Sequence, residues 1–136
     1  MSKLRCTCGN IISDTLSPSD VSGCLLSDIC MDEFFISISR IVDSYVQHFA
    51  NDDVESWRRE HLGDGYPTTV SPGDMIHDLL VTQFLDLTLA AVECDECGRL
   101  WFQEKPNTNR YHAYVPEVDA EKRTKKLGDF KSQDER

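Results

Sequence analysis

Polar and apolar positions follow two rhythms along this chain, and the switch between them marks its organisation. Lys3 to Cys6 and Asn10 to Asp14 have the alternation of short extended segments around a turn at Gly9-Asn10. Ser17-Pro18-Ser19-Asp20 has loop composition, and Val21 to Asp28 is a weak strand, because Gly23 interrupts it. From Asp32 the period becomes helical. Phe34, Ile38, Ile41, Val42, Tyr45 and Phe49 share one face, with Glu33, Arg40, Asp43 and Gln47 exposed and Asp32 as cap.

Asn51-Asp52-Asp53 breaks that helix, and Val54 to Leu62, holding Trp57, forms a shorter one stopped by Gly63-Asp64-Gly65. Ser71-Pro72 is a helix start, since Ser accepts a backbone N–H and Pro occupies a position that needs none. Met75, Ile76, Leu79, Leu80, Phe84 and Leu87 continue its buried face. Leu89 to Cys94, Leu100-Trp101-Phe102 and Tyr111 to Val115 are strands, the last two joined by a loop over 105–109. Past Pro116 only Val118, Leu127 and Phe130 are available for burial. The pattern predicts an α+β fold: a small antiparallel sheet formed by both ends of the domain, packed with two to three helices from the middle. Residues 1–117 form one domain, and 118–136 a charged tail, frayed helix or disordered.

Charge narrows the partners. The chain carries 24 acidic and 14 basic side chains, a net of −10. Residues 119–136 hold six basic and five acidic groups, so 1–118 carry −11. Nucleic acid and anionic membranes both attract Lys and Arg, so both are disfavoured as partners, and a basic protein surface is favoured. No stretch has the apolar length of a signal peptide core or a membrane span, which leads to a cytoplasmic protein.

In the cytoplasm thiols stay reduced, so closely paired cysteines point to a metal or to redox chemistry. The pairs are Cys6-Thr7-Cys8-Gly9 and Cys94-Asp95-Glu96-Cys97-Gly98. Each is a tight turn that presents two thiolates, and two such turns complete the tetrahedral shell of one structural zinc, with no position left for a reactive water. The first turn is one residue shorter than the usual knuckle. The alternatives are a dithiol couple at Cys94 and Cys97, or unliganded thiols. A couple of that kind belongs between a strand and a helix, whereas Gly98 leads into a strand. Cys24 and Cys30 are expected to be buried as small apolar residues. His48, His61, His77 and His112 show no ligand spacing, and no phosphate loop, nucleophile elbow or His-Glu-x-x-His pattern is present, so an enzyme is not expected.

Cys-x-Cys-Gly-Asn followed by Ile-Ile-Ser-Asp, with a late Cys-Asp-Glu-Cys-Gly-Arg-Leu-Trp-Phe, resembles a group of small bacterial zinc-ribbon proteins, some of them similar to immunity proteins of polymorphic toxin systems. The resemblance covers residues 4–14 and 92–115. It implies zinc on Cys6, Cys8, Cys94 and Cys97, and a role in binding and occluding a cognate toxin. No partner-binding residue carries over. The sequence itself offers Asp52, Asp53, Glu55 and Trp57, the Asp64 and Tyr66 loop, and Asp95 and Glu96 as partner-surface candidates, and charge reversal at 52, 53 and 55 is expected to weaken binding without unfolding. The competing expectation is a nucleic-acid-associated zinc ribbon in transcription or translation, using Arg99, Trp101, Lys105, Arg110 and Tyr111.

Overall fold

The computed structural model describes residues 3–119, 121 and 123–128. It has the α+β composition that the two rhythms predict, with three helices and two antiparallel sheets. The chain divides into two compact units. A sheet unit takes the described chain up to Leu25 and again from Thr88 onward, and a helical unit spans Leu26–Leu87.

In the sheet unit, β1 (Lys3–Arg5) pairs with β2 (Ile11–Ser13), placing Leu4 opposite Ile12. A second sheet runs in the order β3 (Ser22–Leu25), β4 (Leu89–Glu93), β5 (Leu100–Gln103), β6 (Tyr111–Tyr114), every pair antiparallel. Both ends of the chain thus supply strands, divided between two sheets. The buried cluster here is Cys6, Ile12 and Cys94, with Leu4, Val92 and Trp101 packed around it. Two of its three members are sulfur-bearing, so this unit has little hydrocarbon core of its own.

In the helical unit, α1 (Asp28–Ala50) starts one turn before the Asp32 expected as its cap. Ser27 caps it instead, its hydroxyl accepting the Cys30 N–H at 3.2 Å. Helix α2 is Val54–Leu62 and α3 is Pro72–Leu87. Ser71 Oγ accepts the Asp74 N–H at 3.2 Å and donates to its carboxylate at 2.7 Å, which fixes the first turn of α3. Ile41, Trp57 and Met75 form the core, and Tyr45 meets the Trp57 indole edge to face at 5.0 Å between centroids.

Two expectations about burial are corrected. Val42 and Phe49, assigned to the buried face of α1, are 39% and 66% exposed, because the core takes only the side of the helix that carries Ile41 and Tyr45. Cys24 is exposed and Cys30 half-buried, since β3 is an edge strand and Cys30 lies in the first turn of α1.

Within the segment 118–136, residues 123–128 lie along the sheet unit as a strap. Glu93, 2% exposed, takes the Lys126 N–H on both carboxylate oxygens (3.0 and 2.8 Å) and the Leu127 N–H on Oε2 (2.7 Å). Lys125 pairs with Asp20 at 2.6 Å. Leu127 covers Gly23, where a Cβ would stand 2.9 Å from Leu127 Cδ2 and push the tip of that side chain aside. Phe130 and the rest of 129–136 lie outside the described residues.

Candidate metal centre

Two turns build the site, and they close in the same way despite unequal length. In the first, the Cys6 N–H donates to Asn10 O at 2.8 Å and the Gly9 N–H to Cys6 O at 3.0 Å. In the second, the Cys94 N–H donates to Arg99 O at 2.9 Å and the Gly98 N–H to Cys94 O at 2.7 Å. Each glycine sits at positive φ, +100° for Gly9 and +69° for Gly98, a region that a side chain disfavours. Removing one residue from the first turn therefore leaves its closure intact.

The Sγ atoms of Cys6, Cys8, Cys94 and Cys97 all lie within 4.8 Å of one another. Cys6 to Cys97 and Cys8 to Cys94 are each 3.6 Å, so each of these contacts joins one turn to the other. A disulfide would need about 2.05 Å. Four sulfurs around one zinc at about 2.3 Å would be separated by about 3.8 Å along each edge of the tetrahedron, close to what these atoms already show. Cys6 and Cys94 are buried, Cys97 is half-buried and Cys8 is exposed. The donor set fits one four-coordinate ion such as zinc. Among the described residues, this is the one group of three or more His, Cys, Asp or Glu side chains whose ligand atoms come together in this way.

Electrostatics point the same way. Burial pushes the Cys6 thiol up, but the Cys8 N–H and the neighbouring thiols of Cys8, Cys97 and Cys94 donate to it and bring it down to about 6. The Asn10 N–H favours ionised Cys8, yet desolvation and the three surrounding sulfurs outweigh it and raise that thiol to about 12. Four thiolates this close repel one another, and a cation between them removes the conflict.

The surrounding groups brace the sulfurs. Asn10 Nδ2 donates to Cys94 Sγ at 3.6 Å and to Asp95 Oδ1 at 2.8 Å, tying one turn to the other. Arg99 Nη1 donates to Cys97 Sγ at 3.2 Å, a bond that raises the guanidinium pKa. From the strap, Arg123 Nη1 donates to Cys97 O, and its side chain lies over Gly98, where a Cβ would meet Arg123 Cδ at 3.0 Å. Asn10 and Arg99 stand next to the two glycines and could have been singled out by position. Glu93 and Arg123 carry no such signal, because the partners of Glu93 are backbone N–H groups 33 and 34 residues further on.

The partner-surface candidates are divided between the two units. Asp52, Asp53, Glu55, Trp57, Asp64 and Tyr66 belong to the helical unit, and Asp95 and Glu96 to the sheet unit. Trp57 is fully buried and is withdrawn as a surface residue. Glu55 is held by Arg58 at 2.6 and 2.8 Å and by Arg59 at 3.1 Å, and Arg58, only 5% exposed, also reaches Gly63 O and Tyr66 O. Reversing Glu55 would strand a buried guanidinium, so the expectation of an unaffected fold is corrected for that residue. Tyr66 donates to Asp78 at 2.7 Å, Asp64 lies 3.9 Å from Arg59, and Asp52, Asp53 and Glu96 are exposed.

Of the residues expected for a nucleic-acid surface, Arg99 is held on Cys97, Arg110 stands 3.9 Å from Glu104, and Trp101 packs into the buried cluster. No described helix is long and apolar enough to cross a membrane. The sheet unit joins β4 to β5 through Cys94 and Cys97, so this pair lies between two strands.

No curated protein and no solved structure matches the chain. Residues 2–118, which contain both cysteine pairs and the whole helical unit, match the family described as a domain of unknown function (DUF8617), and the chain belongs to that family.

Proposed function

We propose that this protein is an immunity protein that binds a cognate bacterial toxin domain and neutralises it by occlusion, with one structural zinc on Cys6, Cys8, Cys94 and Cys97 holding its sheet unit together. The observation that carries the binding role is where the charge lies. Residues 26–87 hold twelve acidic and three basic side chains, a net of −9 out of the chain's −10. Acidity gathered on one compact helical unit is a steering field for a basic protein, and it raises association rates at low salt. Four thiolates would fill the coordination shell of zinc, so the ion would serve the fold and leave binding to the surface. Of the arginines in the competing nucleic-acid reading, Arg99 is held on Cys97 whereas Arg110 stays exposed, and what favours the immunity reading is the acidic balance of the chain.

The test looks for a toxin-bearing gene beside its own and, where one is found, co-expresses the two, scoring survival and co-purification of the pair; a gene that stands with no toxin beside it counts against the reading. Rescue with a stoichiometric complex supports the reading. Survival unchanged, with no complex formed at low salt, overturns it.

A further inference from the structure

Helix α1 exposes more apolar surface than its unit covers. Met31, Phe35, Val42, Val46 and Phe49 are 40%, 58%, 39%, 56% and 66% exposed. At 100° per residue they fall within an arc of about 60°, forming a stripe about 27 Å long. Summed over these fractions the stripe offers roughly 500 Å² of apolar surface, near what one partner contributes to an interface of ordinary size. Tyr45 stacks on Phe49 at 6.4 Å and fixes one end.

Along the Val46 edge of the stripe, from that edge to about 60° beyond it, run Asp28, Asp32 and Asp43, all exposed. The unit that carries the stripe has no lysine; Arg58 and Arg59 both pair with Glu55, and its third arginine, Arg40, is exposed on α1 about 60° beyond Asp43, on the side away from the stripe. A second copy of this chain would bring another −9 against the first, which opposes self-pairing at low salt.

We infer that this stripe on α1 is the docking surface for a protein segment of opposite character, a lysine- or arginine-rich amphipathic helix. Its apolar face would cover Phe35, Val42, Val46 and Phe49, and its cations would meet Asp28, Asp32 and Asp43. This mode is helix on helix, with apolar anchors supplying affinity and the acidic row fixing side and orientation. The inference deepens the binding role proposed above and rests on it only in taking the partner to be a protein.

The test uses the full chain and a fluorescent 18-residue peptide of Leu and Lys with its leucines on one helical face, against a Leu and Glu counterpart, followed by anisotropy at low salt. The cationic peptide should bind at least tenfold tighter than the acidic one. V46S/F49S should weaken it at least tenfold with an unchanged melting temperature, and D32K/D43K should weaken it and flatten its salt dependence. Undiminished binding to V46S/F49S and D32K/D43K, or equal binding of both peptides, overturns the assignment. A dimer in sedimentation that V46S/F49S dissociates overturns the choice of occupant in favour of a second copy. Binding at the stripe without rescue from the neighbouring toxin would sink the immunity reading and leave the docking surface standing.

Discussion

Replacing Glu93 with glutamine tests how the strap is held. Its carboxylate faces the N–H groups of Lys126 and Leu127 at 2.7 to 3.0 Å in a position 2% exposed. Glutamine keeps one oxygen, which in the Oε2 position still accepts both N–H groups, but it loses the charge and turns its NH2 toward the Lys126 N–H at the Oε1 position. A hydrogen bond to a charged acceptor contributes about 1.5–3 kcal/mol net against about 0.5–1.5 kcal/mol for a neutral one, so losing the charge costs about 1–1.5 kcal/mol and shifts the opening equilibrium by roughly tenfold. Amide hydrogen exchange of Lys126 and Leu127 should accelerate by that factor in E93Q, while Ala91 and Val92 in β4 keep their protection. Unchanged exchange at both amides would refute the carboxylate as the anchor. Equal acceleration throughout the sheets would instead make Glu93 a support of the whole unit.

Purified without added metal, the protein should carry about one zinc per chain. A strong chelator or Cys94→Ser should melt the sheet unit, whereas Cys24→Ser should change neither zinc content nor melting temperature, as measured by metal analysis and calorimetry. Trp57→Ala removes a fully buried indole and should destabilise the helical unit by about 3–5 kcal/mol in a denaturant titration; a loss under about 1 kcal/mol would contradict its central packing. Arg58 holds the Glu55 carboxyl down at about 2 from an ordinary 4.5. Its contribution is therefore complete above about pH 4.5 and disappears as the pH falls toward 2. The melting-temperature gap between the native chain and Glu55→Gln should close over that range, and a gap constant from pH 6 to 2 would count against the pair.

Legibility in the sequence tracked how local each determinant is. The two cysteine turns were readable because a thiolate pair followed by glycine is complete within five or six residues. Helices α2 and α3 were readable for the same reason, with Gly63 and Ser71-Pro72 marking their ends. The start of α1 is ambiguous in the sequence because Ser27 and Asp32 are both competent caps, and the first turn contains exposed Ile29, which gives no core periodicity. Periodicity turns Val42 and Phe49 inward because it shows an apolar arc, not how much of it the neighbouring helices cover. The strap was invisible: charged residues near the end of a chain look solvated until a buried carboxylate far back in sequence supplies an acceptor for their backbone.

The order in which the chain is made gives the inserted helices a further significance. Eighty-five residues separate Cys8 from Cys94, which at ordinary rates of translation is roughly 5–15 s of synthesis. Throughout that interval the first turn offers two thiols with no partners, while the helical unit, whose core contacts all lie within 26–87, is free to form. Capture of a metal by all four sulfurs would have to come late, after Cys97 has left the ribosome. A chain cut short before Cys94 would keep its helices and lack half of its ligands, so retention of the ion would report that synthesis had passed that point.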